Sequence, residues 1–230
     1  IPDEIIVGLN NRNEKYHDLQ RVNIRTGQMD MIAENNEFAG YVTDDDYNVR
    51  FAMKMTPDGG SELRKPGAAG GWDPFITIGM EDSMTTSPIG LDKAGQTLFM
   101  VDSRGRDTAA LNALNISDGS IKTLGKDDKA DVAGAVVHPT ENHIQAYSVN
   151  YDRVRWNVID PSIKGDFETL RGVAEGDFNI GSRTLDDTKW IVSYMMDDGP
   201  VRFYVYDRPT KKATFLFTNN ERLADVSLSK

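Results

Sequence analysis

The sequence predicts an all-β protein, a β-propeller of about five four-stranded blades, and three observations predict it. A strand–polar turn–strand motif recurs four times, with strand centres at Val49, Leu98, Ile144 and Trp190, spaced by 49, 46 and 46 residues. A second strand–turn–strand motif accompanies the first along the chain. Inside the strands apolar and polar faces alternate, with Trp190, Val192 and Tyr194 on one side and Ile191 and Ser193 on the other. A repeat of about 45 residues holding four strands is the sequence sign of a propeller blade, which buries both faces only by stacking on its neighbours. No long run shows a 3.6-residue period, which argues against helical repeats.

The elements follow in order. The first motif reads TDDDYNVRFAM at 43–53, IGLDKAGQTLFMV at 89–101, AVVHPTENHIQAY at 135–147 and TLDDTKWIVSY at 184–194. The second reads LQRVNIRTGQMDMIA at 19–33, LNALNISDGSIKTLG at 111–125, WNVIDPSIKGDFETL at 156–170 and FYVYDRPTKKATFLF at 203–217. In AMKMTPDGGSELRK at 52–65, Pro57, Asp58, Gly59 and Gly60 suit a tight reversal. PGAAGGWDPFITIG, which follows, reads as a loop and then a strand. The blades fall at 1–36, 37–82, 83–129, 130–175 and 176–220 of a single propeller domain, 1–230, and ERLADVSLSK at the end is long enough to begin a further element. Five blades either close as a small ring or form an arc cut from a ring of seven or eight; the arc is the expectation, because the first blade shows no closing strand and the sequence stops just after the fifth. An arc leaves apolar blade edges open to a second copy or another partner.

Composition narrows the function. A formal charge of −10 argues against nucleic acid as the main partner, because binding its backbone needs a cationic surface. No apolar stretch approaches membrane-spanning length, so no membrane partner is expected. The opening IPDEIIVGLNNRNE lacks the basic start of a signal peptide. The absence of cysteine excludes disulfides and thiolate metal sites and is compatible with a reducing compartment, so the cytoplasm is the expected location.

Catalytic signals are sparse. The G-x-S-x-G turn of α/β-hydrolases is absent; Ser61 and Ser182 each follow glycine but lack the rest. His17, His138 and His143 are the three imidazoles, and His138 begins a turn where other blades carry Asp92 or Asp186. Asp44, Asp46 and Asn48 resemble the start of a calcium loop, but Val49 and Met55 stand where that loop needs glycine and glutamate. Asp186, Asp187, Asp197 and Asp198 fall in turns, where they cap nearby backbone amides. No cofactor or metal is expected. Two stretches are richer than ordinary turns: VDSRGRDTAALN at 101–112, with Asp102, Arg104, Arg106 and Asp107, and NYDRVRWN at 150–157, with Asp152, Arg153, Arg155 and Trp156. Both join the second and third strands of their blades and so share one rim. Their arginines and aspartates can pair between neighbouring blades or dock a partner domain or substrate chain.

TPDGGSEL at 56–63, LDKAGQTLFMVDSRGRDTAAL at 91–111, SRTLDDTKWIVSY at 182–194 and DDGPVRFYVYDRPTKKATFLF at 197–217 together resemble the N-terminal propeller of prolyl-oligopeptidase-family serine peptidases of the acylaminoacyl-peptidase-like branch. The resemblance runs through nearly the whole chain. It implies a propeller covering an α/β-hydrolase domain that carries Ser, Asp and His, lies outside this sequence and cleaves short peptides while folded proteins are kept out. It places no catalytic residue in this chain, so this region is expected to be inactive by itself. Two other readings compete: a stand-alone protein-binding propeller resembling that of TolB, and a carbohydrate- or lactone-processing propeller enzyme that uses central carboxylates and calcium.

Overall fold

The computed structural model describes residues 3–223 and 226. The chain is all-β, built from five antiparallel propeller blades, and it divides into two compact units, Ile1–Lys126 and Asp127–Lys230. Nothing among the described residues marks the five blades as an arc of a larger ring.

The first unit holds three sheets. β1 (Glu4–Asn13), β2 (Tyr16–Asn23) and β3 (Met29–Ala33) form a three-stranded meander. β4 (Gly40–Thr43), β5 (Val49–Met55), β6 (Ser61–Pro66) and β7 (Trp72–Ile78) form the second sheet. β8 (Ser87–Leu91), β9 (Thr97–Asp102), β10 (Ala110–Asn115) and β11 (Ile121–Gly125) form the third. In each sheet sequence neighbours pair, as short hairpin turns dictate. The inner faces of the second and third sheets supply one core of Phe51, Leu63, Ile76, Ile78, Leu91, Leu98, Met100 and Leu114. The β5–β6 reversal depends on its glycines: Gly59 has φ +90°, and a Cβ on Gly60 would lie 2.5 Å from the carbonyl oxygen of Ile78.

The second unit holds two sheets and the one α-helix among the described residues. β12 (Val132–Val137), β13 (Ile144–Asn150) and β14 (Val154–Val158) pair in that order. β15 (Asp177–Arg183), β16 (Lys189–Met195), β17 (Arg202–Asp207) and β18 (Lys212–Thr218) form the last sheet. Between them, residues 156–170 depart from the expected strand–turn–strand. After β14 the chain makes a 3-10 turn, Pro161–Ile163, and then α1 (Lys164–Leu170). The cause is local: the Asp160 side chain accepts from the amide of Ser162, and Pro161 supplies a helix-compatible φ at the first turn position. Ile163, Phe167 and Leu170 then recur at helical spacing and are fully buried. They join Trp190, Val192, Tyr194 and Tyr206 in the second core. The first and fourth blades therefore have three strands, not four. Of the final ten residues, Glu221–Leu223 form a 3-10 turn, and 224, 225 and 227–230 lie outside the described residues.

Side chains in the first hairpins tie blades together inside each unit. In the first unit, Tyr47 donates its hydroxyl to the carbonyl of Glu4 at 2.6 Å, and Arg50 Nη2 donates to the carbonyl of Gly95 at 2.9 Å. In the second, Arg183 Nη1 donates to the carbonyl of Val137 at 3.0 Å. Of the acidic turn residues expected to cap amides, Asp186 does so, its Oδ1 accepting from Thr188 N at 3.1 Å, whereas Asp187 is taken up by arginine side chains; Asp44 Oδ1 likewise accepts from Asn48 N at 2.9 Å and Asp92 Oδ1 from Gln96 N at 2.7 Å.

Candidate functional site

The two loops singled out in the sequence do join second to third strands, β9 to β10 and β13 to β14. Asp102 ends β9 and is buried; Arg104 folds back on it with Nε and Nη2 at 2.9 and 2.8 Å from the two carboxylate oxygens. This pair sits within one loop and does not bridge blades. Burial acts to raise the Asp102 pKa, but the hydrogen bonds from Arg104 outweigh it and hold the carboxyl below its ordinary range. Asp102 is therefore an acceptor at neutral pH and not a proton donor. Arg106 and Asp107 are exposed at the loop tip, with Arg106 Nε donating to the Thr108 carbonyl at 3.1 Å. Next to Asp102, Ser103 Oγ donates to Asp82 Oδ1 at 2.6 Å.

The 150–157 loop behaves differently. Arg153 Nη1 reaches Asp197 Oδ1 at 2.8 Å, a pairing between the β13–β14 and β16–β17 connections of neighbouring blades. Arg155 lies 4.0 Å from Asp127, and Asp152 accepts the amide of Arg153 at 3.0 Å. Asp152, Arg153 and Arg155 are exposed. Trp156 is half-buried against the second core: its indole donates to the Phe178 carbonyl at 3.0 Å and meets the Phe167 ring edge-on at 5.6 Å. Alternation along β14 turns it to the core side.

A dense polar cluster lies elsewhere in the second unit, and the sequence reading missed it. Trp190 is fully buried, with the guanidinium groups of Arg183 and Arg208 each 4.8 Å from its ring centroid. Asp187 binds both arginines: Arg183 Nε donates to its Oδ1 at 2.6 Å, Arg208 Nη1 to its Oδ2, and the Trp190 indole to Oδ1 at 2.7 Å. Arg208 also clamps the fully buried Asp166 on α1 through Nε and Nη2 at 3.1 and 3.0 Å. Tyr206 Oη and Lys211 Nζ complete the Asp166 shell. Arg183 Nη1 continues to Gln145 Oε1 at 2.8 Å, and Gln145 Nε2 to Asp160 Oδ2 at 2.9 Å. This chain of charges staples α1 and the two sheets together. The available signals were Asp160-Pro161 as a helix start and Asp166 on the buried side of the turn that follows.

His138 and His143 are both engaged. His138 Nδ1 accepts from the amides of Thr140 and Glu141 at 3.3 and 3.1 Å, capping its turn as an aspartate does elsewhere, and burial lowers its pKa. His143 stacks on it at 5.1 Å and directs Nε2 to Asp160 at 3.0 Å. Among the described residues no group of three His, Asp or Glu is placed to hold a metal ion. The Asp44 carboxylate that resembled a calcium ligand takes Asn48 and, at 3.3 Å, Arg50. The arrangement is suited to holding loops in place.

No family model matches the chain. It is 40% identical over 223 residues to dipeptidyl aminopeptidase BIII of Pseudoxanthomonas mexicana, a match that covers 96% of this chain and 32% of that protein. The chain spans about a third of the length of the curated relatives it matches. Among solved structures, a puromycin-hydrolyzing peptidase of Mycobacterium tuberculosis aligns with a TM-score of 0.56 at 14% identity, covering 97% of this chain and 36% of that one. TolB of Acinetobacter baumannii aligns with a TM-score of 0.56 at 10% identity, covering 94% and 52%. At such identities the structural likeness is one of fold.

Proposed function

We propose that this chain, a β-propeller region matching those of prolyl-oligopeptidase-type peptidases and of TolB, is the non-catalytic propeller of a serine peptidase that releases short pieces from peptides. The observation that carries the reading is the 40% identity, over almost the whole chain, to a dipeptidyl aminopeptidase of which it spans a third. In this reading the rest of the protein supplies an α/β-hydrolase domain with the nucleophile, base and oxyanion hole. The propeller docks on that domain and admits peptides by size before any chemistry occurs. Exposed Arg106, Asp107, Asp152, Arg153 and Arg155 are its docking contacts, and the Asp102–Arg104 pair stiffens the loop that carries Arg106 and Asp107. Phe215, Leu216 and Phe217, exposed on edge strand β18, support a homodimer or partner contact at that edge. The protein works in the cytoplasm.

The test is a length series of substrates given to the native gene product. Hydrolysis of chromogenic dipeptides and short peptides, with a folded protein left intact, is expected. A native product without amidase activity on any member overturns the reading and favours a TolB-like binding module.

A further inference from the structure

Blade four lacks the outer strand that its sequence repeat predicts. Its sheet ends at β14, where the sheets of blades two, three and five continue to a fourth strand. The missing strand is α1, drawn away into the core by Ile163, Phe167 and Leu170. A cavity of about 490 Å³ lies beside the vacated edge, lined by Trp156 to Val158 of the strand and by Ile159, Pro161, Lys164, Glu168 and Arg171.

The edge is chemically ready for a strand. The Gln145 carbonyl accepts from Ile159 N at 2.8 Å, which fixes the alternation along β14. Arg155 and Asn157 therefore turn their backbone groups toward β13, and Val154, Trp156 and Val158 turn theirs outward. The outward Trp156 carbonyl meets only a long contact, 3.4 Å from Arg171 Nη2. Lys164 and Arg171 make no ion pair among the described residues, and they flank the cavity with Glu168 between them. An incoming carboxylate satisfies both cations, and an incoming backbone satisfies the outward groups.

We infer that the β14 edge and the groove beside α1 form a peptide-binding site that takes an extended, acidic segment of a partner chain as the fourth strand of the blade. The segment pairs its backbone with Val154, Trp156 and Val158 and directs carboxylates to Lys164 and Arg171. This site is independent of any peptidase chemistry.

The probe is fluorescein-labelled Thr-Glu-Val-Glu-Thr-Glu-Val, with its Gln-for-Glu and Lys-for-Glu counterparts, titrated by anisotropy against the native full-length protein. The acidic peptide is expected to bind, with the Gln peptide at least about tenfold weaker and the Lys peptide silent. Val158→Pro removes one outward donor and leaves the β13 ladder intact, so binding is lost, with a modest fall in melting temperature because Val158 packs on the second core. If that variant fails to fold, Arg171→Glu on the exposed helix end keeps the test alive with a loss of at least about tenfold. Amide exchange at 154, 156 and 158 slows on binding. Equal binding of all three peptides, no binding at millimolar peptide, or unchanged binding in Arg171→Glu overturns the inference. So does self-association that Val158→Pro abolishes, because the edge then belongs to a second copy.

Discussion

Replacing Arg208 by methionine tests whether the charge cluster around Trp190 holds the second unit together. The arginine side chain is 20% exposed, while its partners Asp166 and Asp187 are 0% and 8% exposed. Methionine retains much of the apolar stem over Trp190 but strips two nearly buried carboxylates of one cation. Removing one member of a buried pair costs about 3–5 kcal/mol, because the remaining charge keeps its desolvation penalty. Loss of the stacked guanidinium adds about 0.5–2 kcal/mol. Tyr206 and Lys211 still serve Asp166, and Arg183 and Trp190 still serve Asp187, so the lower part of the range applies, about 3 kcal/mol. For a chain of this size that corresponds to a fall in melting temperature of about 6–12 °C. The assay is urea unfolding followed by Trp fluorescence, to which Trp190 contributes alongside Trp72 and Trp156. Arg153→Ala serves as the comparison: Arg153 and Asp197 are 50% and 41% exposed, so solvent screens their pair and the cost is expected to be far smaller. Equal costs for the two substitutions refute the argument that burial sets the strength of these pairs.

Other consequences are checked more simply. Gly60→Ala places a methyl 2.5 Å from a carbonyl oxygen and should cost about 1–3 kcal/mol in chemical denaturation, whereas Gly119→Ala has open space and is strained only by its φ of +72°. Trp156→Phe removes the donor to the Phe178 carbonyl and should cost about 1–3 kcal/mol, read from the same urea curves. The carboxyls of Asp44, Asp102 and Asp160 sit below their ordinary range in the fold, so the unfolded chain binds more protons. Their contribution is present above the unfolded carboxylate pKa and lost as pH falls through the folded values; melting temperatures should drop below about pH 4. His138, also lowered, makes the loss begin below about pH 6.5, and its imidazole resonances should titrate below that value in NMR.

The repeat was legible because each hairpin carries its own instructions. Asp92, Gly95 and the alternating Leu98 and Met100 specify a capped turn and a half-buried strand without reference to the rest of the chain. The rim loops were legible as positions but not as contacts. Nothing in DSRGRD distinguishes an arginine that folds back two residues, as Arg104 does, from one that crosses to the next blade, as Arg153 does. The helix at Lys164–Leu170 departs from the expected strands because WNVIDPSIKGDFETL aligns with its sister segments in the repeat. Its local helix signals are the Asp160-Pro161 start and the 163–167–170 spacing, which the strand pattern overlies. The Asp166–Arg208–Asp187–Arg183 cluster was out of reach for a further reason. Its members lie up to 42 residues apart and meet only when α1 replaces a strand.

The measurement that tests the central claim most directly is the intact mass of the native gene product, with peptide mapping past Lys230. The account predicts a protein roughly three times the length of these 230 residues, with peptides covering a G-x-S-x-G turn. A native product of about this chain's own length contradicts it.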